Sequence, residues 1–469
     1  MAHLAVAVAA LATLVLAGVA DATAGRTTVP ASDWTTYHHD RLRTGDGVLH
    51  GTFTSLTPKF VWHLPTTSSG DQLFATPLVV GHTAFVTTLA DRVFAVSTQT
   101  GKTQWFRTLG TPYVAPSGVC GNVGPPTGVV STPVIDEARG ELFVVGALGV
   151  GSAHATPVHH LFGLSLRTGA VLLNRVIDPP GQQVAYLLQR SGLALDHGRV
   201  LVGFGGNYGD CGTYHGWLES VPEAGGSAIY RFEVAKGPGQ GRGAIWMGGG
   251  APTVDAAGDV YVADGNGNGV SAGDAFDFSD AVLKLSPTMH LLDYFAPTTW
   301  YSDNAADLDL GSGAPQLVSA TQLLQVGKTQ TAYLLNPAKL GHVTAAVPTF
   351  PVCVGKGQAN GGDALVGGMV VIPCEGGLEA VRITTHAPYG VVVWSTNVSG
   401  NAPVVADGLV WTIAGNSGGS TLYALDPANG HVRWHYDFGP VTNHFDSPAV
   451  GDNLLVVAGA NELLAFPPR

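Results

Sequence analysis

Asp307 and Asp309, two residues apart in the stretch DNAADLDLGSG, are the side chains of this chain best suited to chemistry. Residues two apart in an extended segment project to the same side. Like charges so placed raise each other's pKa unless a cation sits between them. The pair therefore suits a catalytic general base or a Ca²⁺ site, and an ordinary acidic surface loop is the plain alternative. Trp246, in GAIWMGGGAP, stands among glycines that let a flat ring approach closely. Its indole can floor a planar ligand or pack between structural elements. The run Asp264-x-Asn266-x-Asn268-Gly269 opens like a calcium loop. Ala275 stands where the bidentate glutamate belongs, which favours an Asn/Gly hairpin turn instead. His215 and the run Tyr37–Asp40 lack partners at metal-ligand spacing, and no C-x-x-C-H is present, so neither zinc nor haem is expected.

The elements that must position these residues are short strands. The chain has 469 residues, 64 of them Gly and 29 Pro, with only 12% charged, a profile of many strands joined by tight turns. Net charge is −12 and no basic stripe exists, which argues against nucleic acid and anionic membrane as partners. An apolar run from Leu4 to Ala20, then Ala22-Thr23-Ala24, reads as a signal peptide over 1–24 cut before Gly25. The leader carries no Lys or Arg, so an uncleaved anchor is the alternative. No Cys follows the apolar run, which excludes a lipoprotein. The mature chain, 25–469, is expected to be secreted and monomeric, with no later membrane segment.

The mature chain divides itself at eight openers, each a short apolar strand led by a small residue or Asp. They begin at Ala75, Ser131, Ser191, Ala251, Ala314, Asp363, Ala402 and Ser447. Each is followed by a turn, a Val-rich strand, a strand like VFAVS or LYALD, and a Gly turn. Several units close on an aromatic strand, at Trp105 and Trp434 for example. A spacing of roughly 35 to 60 residues for all-strand units means propeller blades. The last unit stops at NELLAFPPR without an outer strand, and PKFVWHLP (58–65) has that pattern, with Trp62 placed like Trp105. The expected fold is all-β: an eight-bladed propeller of four-stranded antiparallel blades, the eighth closed by the N-terminal strand.

Loop lengths separate the faces. Every long segment, including 207–216, 233–250, 264–278, 298–312 and 349–361, falls on the face shared by the middle turns and the blade-to-blade links. Loops on a rigid scaffold carry function, so the site is expected there. Arg190, Asn360, Asn401, His444 and Asp446 each fall one to three residues before an opener, ringing the central funnel. They either bind a ligand or hydrogen-bond channel water. Four cysteines behind an export signal read as disulfides. Blade assignment pairs Cys120 with Cys211 and Cys353 with Cys374, because the other pairings reach across the ring.

The blade signature LYALDPANGHVRW resembles the pyrroloquinoline-quinone (PQQ)-like repeat shared by quinoprotein dehydrogenases and barrel-assembly propellers. The resemblance covers nearly all of the mature chain and implies the propeller. In the dehydrogenase branch, one blade supplies a Ca²⁺-binding carboxylate; here GGNYGDCGTYHGW offers Asp210, one residue out of register. The next brings a Trp under the quinone and a Gly-Asn on Ca²⁺; here these are Trp246, about three residues displaced, and Asn266. The family's base is an Asp before the following blade, where Asp307 and Asp309 stand. The adjacent-cysteine ring of many members is missing. Three functions follow: a secreted propeller binding a ligand or partner on its elaborated face, a PQQ- and Ca²⁺-dependent oxidoreductase, and a non-catalytic assembly scaffold.

Overall fold

In each repeat the second and third strands read as apolar on both faces, as in Arg92–Ser97 (RVFAVS), and are buried along almost their whole length. Outer strands such as Thr103–Thr108 and Val171–Val176 alternate exposed with half-buried residues. This is the pattern of sheets stacked face to face whose last strand meets solvent. A computed structural model describes residues 33–65, 70–116, 123–151, 156–207, 210, 212–226, 228–416, 419–440 and 445–469. They form eight antiparallel sheets, each of at least four strands, whose inner strands begin with Leu78–Val80, Val134–Asp136, Ala194–Asp196, Thr253–Val254, Gln316–Ser319, Ala364–Val366, Val404–Ala406 and Ala449–Gly451. These define blades 1 to 8. The eightfold propeller of the sequence reading is the fold observed.

Ring closure is also as expected. Phe60–His63 pairs antiparallel with Glu462–Phe466, with Trp62 opposite Leu463, and completes blade 8. The Trp62 indole N–H then donates to Thr103 Oγ1 of blade 1 at 2.9 Å. The same device recurs around the ring. Trp105 donates to the Leu166 carbonyl of blade 2, and Trp394 to the Pro427 carbonyl of blade 7, at 2.9 and 2.7 Å. The Trp105 and Trp394 rings each lie on a turn glycine of the next blade: a Cβ on Gly169 or Gly430 would come within 2.5 Å of the indole.

The segment before that strand does something the sequence did not disclose. Residues 34 to 47 run one lap around the axis on the short-turn face, touching the inner strands in order. Trp34 exchanges two backbone hydrogen bonds with Val79 (blade 1), and the Thr35 carbonyl accepts from Ile135 (blade 2). Thr36 Oγ1 donates to the Leu193 carbonyl (blade 3), and the Arg41 carbonyl accepts from Val254 (blade 4). The Arg43 carbonyl accepts from Gln316 Nε2 (blade 5), Thr44 from Leu365 (blade 6) and Gly45 from Val405 (blade 7). Gly47 packs on Val450 of blade 8, where its own Cβ would lie 2.7 Å from that side chain. The lap supplies hydrogen-bond partners to free edges of inner strands that would otherwise stay unpaired. Tyr37 and His38, stacked at 4.2 Å, are buried on the axis, and the Tyr37 hydroxyl accepts the Gly362 N–H at 3.0 Å.

Two insertions add to the blades. Leu187–Leu188 pairs with Arg199–Gly206 of blade 3, and His342–Val343 runs parallel to Leu291–Ala296 as a fifth strand of blade 4. Trp300–Ala306 is the single α-helix among the described residues. Cys353 and Cys374 form a disulfide with Cα atoms 5.5 Å apart, as the blade assignment required. Cys120, Cys211 and the leader lie outside the described residues. No helix among the described residues is long and apolar enough to cross a membrane.

A candidate ligand cavity at the axial mouth

Blades 3, 4 and 5 send their long loops over the axis, and a cavity of about 540 Å³ lies between them. Arg190, Asp210, Trp246, Asn266, Asp307, Asp309 and Asn360 all line it. Asn401 and Asp446 do not: Asn401 has its backbone N–H tied to the Ile413 carbonyl, and Asp446 is buried beside Arg190. His444 lies outside the described residues.

The two aspartates converge, but not as neighbours along a strand. Asp307 caps the helix Trp300–Ala306 in the left-handed conformation (φ 56°), and Asp309 opens a short 3₁₀ turn. Asp307 is 75% exposed and Asp309 only 9%. What joins them is Lys328, from the middle turn of blade 5, with Nζ 2.6 Å from Asp309 Oδ2 and 3.2 Å from Asp307 Oδ1. The cation that the spacing called for is thus an ammonium of the chain itself. Burial works against the charged ammonium, but Asp309 and then Asp307 outweigh it and hold the Lys328 pKa above its ordinary value. Burial pushes the Asp309 carboxyl up, and Lys328 pulls against that. Gly327 makes the approach possible, since a Cβ there would lie 2.7 Å from the Asp309 carbonyl, and the Lys328 N–H donates to that carbonyl at 3.0 Å.

Asn266, from the middle turn of blade 4, ties the pair to the propeller. Its backbone N–H donates to Asp309 Oδ1 at 2.8 Å and its Nδ2 to Asp307 Oδ1 at 2.7 Å. With the amide so fixed, Asn266 Oδ1 is buried and has no hydrogen-bond partner. Such an acceptor costs free energy unless something fills its place. Asp210, in the left-handed conformation (φ 67°), accepts the Tyr214 hydroxyl at 2.5 Å. Burial first, then the Asp210 charge, push the Tyr214 pKa well up, so that phenol stays a donor. Beneath the floor Asp264 and Asp280 are fully buried, and burial holds both carboxyls well above their usual range.

The apolar wall is aromatic. Lys328 Nζ stands 5.8 Å from the Trp246 ring centroid, and Phe445 meets that indole edge-on at 5.8 Å. The Arg190 guanidinium lies between Phe74 and Phe445, at 4.9 and 5.5 Å from their ring centroids, with Nη1 donating to the Val130 carbonyl. Burial lowers its pKa to about 10, against Asp446, and leaves it cationic. Sequence reasoning missed Lys328 and Phe445. Phe445 adjoins a residue it did select; the lone Lys in the turn QVGKTQT was readable only as a charge complement to the acidic loop before it.

Residues 356–469 match the family model described as outer membrane protein assembly factor BamB. No curated protein matches the chain in sequence. Among solved structures, the quinohemoprotein alcohol dehydrogenase of Comamonas testosteroni aligns with a TM-score of 0.68 at 15% identity, over 95% of this chain and 81% of that one. A europium-containing methanol dehydrogenase aligns with 0.67 at 15% identity, over 93% and 98%. BamB from Moraxella catarrhalis aligns with 0.52 at 12% identity, over 88% and 98%. The chain therefore has the PQQ-like eight-bladed propeller fold, and at these identities the likeness is one of fold.

Proposed function

We propose that the axial cavity takes a flat aromatic ligand bearing carbonyl and carboxylate oxygens, of the PQQ type, and that the protein is a secreted quinoprotein-type oxidoreductase acting on an alcohol. One observation carries this reading. The Lys328 ammonium, held by Asp309 and Asp307 over the Trp246 face, shares a cavity with an unpartnered Asn266 oxygen. The residues fit such a group. Trp246 would offer it a face, Arg190 and Lys328 would offer charge to its oxygens, and Asn266 Oδ1 and Asp210 would be oxygen donors to an accompanying Ca²⁺, although no three carboxylate or histidine ligands converge there among the described residues. Bound there, a quinone supplies a two-electron acceptor.

The chain's own residues supply the proton chemistry. Asp309, held in place by Lys328, is the base that accepts the substrate hydroxyl proton at a carboxylate oxygen. Lys328 keeps that carboxylate in place and stabilises negative charge developing beside it. Asn266 fixes the carboxylate's orientation through its backbone N–H. Phe445 and Phe74 limit water at the aromatic end.

A second reading is a propeller that binds its ligand without turnover, and one observation favours it: Lys328 already fills the cation place between the aspartates. The disulfide Cys353–Cys374 supports export into an oxidising compartment, and Cys120–Cys211 is the expected second bridge. The purified protein, incubated with PQQ and Ca²⁺, is to be followed by absorbance while a primary alcohol is added. A bound quinone spectrum that bleaches with alcohol supports the enzyme. A bound spectrum indifferent to alcohols supports the binding propeller, and no bound spectrum rejects both PQQ readings.

A further inference from the structure

On the opposite face, the lap of residues 34–47 and the short turns of blades 2, 3 and 4 enclose a groove of about 1030 Å³. Its walls carry Asp136, Glu137 and Glu223, each of which has a second carboxyl beside it. Glu137 is in hydrogen-bonding contact with Asp33, and Glu223 with Asp136. Asp196 also lines the groove; it is only 8% exposed, gives one oxygen to His197 Nδ1 at 2.6 Å, and leaves Oδ2 without a hydrogen-bond partner. Glu137 Oε1 is likewise buried and unpartnered. The nearby cations are largely committed. Arg43 spends its guanidinium on the carbonyls of Pro252, Tyr37 and Asp40, Arg41 donates to the Asp255 carbonyl, and Arg139 pairs with Glu141 and Glu223.

We propose that this groove is a second binding site, for a linear organic polycation of the polyamine class. A metal ion is the poorer fit: among the described residues, no three carboxylate or histidine ligands converge on one point, the sole converging set being the disulfide cysteines with Glu379. The carboxylates are instead spread along the groove, with Val134, Ile135, Leu195 and Val254 among its apolar lining. Ammonium groups separated by methylenes match that alternation, each charge meeting a carboxylate and each alkyl segment an apolar side chain. Without a cation the pairs hold protons: burial, then Asp33, pushes Glu137 up to about 7, and burial, then Asp136, pushes Glu223 up to about 8. Arg139 lowers and Glu141 raises the latter. A bound polycation displaces those protons.

The test is calorimetric titration of the full chain with spermidine at pH 7.5, in two buffers of different ionisation enthalpy. The expected result is a saturable 1:1 isotherm whose apparent enthalpy differs between buffers, reporting proton release. Asp196→Asn together with Glu223→Gln weakens binding by about tenfold or more and shrinks the buffer dependence to the part that Glu137 carries. Both are neutral isosteres, and circular dichroism checks that each variant is folded. An isotherm without saturation, binding indifferent to both substitutions, Ca²⁺ binding as tightly as spermidine, or a lysine-rich peptide binding more tightly would each overturn the proposal.

Discussion

Lys328 Nζ lies 2.6 Å from Asp309 Oδ2 across the mouth between blades 4 and 5, and both side chains are nearly buried. Removing one partner of such a pair strands the other's charge, whereas removing both does not. Lys328→Met should therefore destabilise the fold by about 3 kcal/mol at pH 7, and Lys328→Met with Asp309→Asn should recover most of that. Urea denaturation of the wild-type chain and both variants checks this. Equal losses in the single and double variants would mean that the pair is not coupled.

Gly169 and Gly430 each have φ near +70° and lie under an indole ring of the preceding blade. An alanine at either place meets both a disfavoured backbone conformation and a 2.5 Å contact with Trp105 or Trp394. Each Gly→Ala change is expected to cost roughly 2–3 kcal/mol. At Gly81, also left-handed but with open space around a Cβ, the same change should cost only about 1 kcal/mol, which isolates the packing part.

The axial lap predicts that truncations differ in kind. A chain beginning at Val48 keeps the strand Phe60–His63 but loses the inner-edge bonds to Val79, Ile135, Val254, Leu365 and Val405, each worth about 1 kcal/mol net. It should remain folded with a lowered melting temperature. A chain beginning after Pro65 also loses the outer strand of blade 8 and should aggregate through the exposed edge of Glu462–Phe466. A Val48 truncation melting like the full chain would show that the lap adds no stability.

Stability should fall with rising pH above about 6.5. Burial pushes the Asp363 carboxyl up to about 8, so the folded state keeps a proton that the unfolded chain releases near 3.9. That contribution is lost as pH climbs through this window, and Glu219, pushed up to about 7 by burial despite Arg231, acts in the same sense. His38 acts oppositely. Burial lowers it to about 4, so its contribution is present above about 6.5 and lost as pH falls toward 4. The Asp363 and His38 slopes oppose each other between about 4 and 6.5, and beyond that the acids act alone. Asp363→Asn should flatten the decline between pH 6.5 and 8 in a melting-temperature series. An unchanged slope would contradict the assignment.

Blade number, ring closure and the loop-bearing face were legible because the repeat writes them in residue types: small openers, Val-rich strands, turn glycines and outer tryptophans. The lining of the candidate cavity was legible in part, since Asp210, Trp246, Asn266, Asp307 and Asp309 do line one cavity. The axial lap was not legible. It is held largely by backbone bonds, which any residue can make, and Thr35, Thr44 and Gly45 carry no pattern. Nor was the helix Trp300–Ala306, whose seven residues WYSDNAA have no apolar period long enough to read. Lys328 escaped because its role depends on the fold bringing the middle turn of blade 5 against the loop that enters that blade.

Trp246, Asn266, Asp309 and Lys328 are proposed to form one ligand site. The most direct measurement is the equilibrium dissociation constant of PQQ, in the presence of Ca²⁺, for the wild-type chain and for Trp246→Ala, Asn266→Ala and Asp274→Asn. Asp274 is exposed on the same face, does not line the cavity, and serves as the charge control. Saturable binding is expected, weakened by about tenfold or more in Trp246→Ala and Asn266→Ala and unchanged in Asp274→Asn. Absence of saturable binding, or equal affinity in all four proteins, would contradict that proposal.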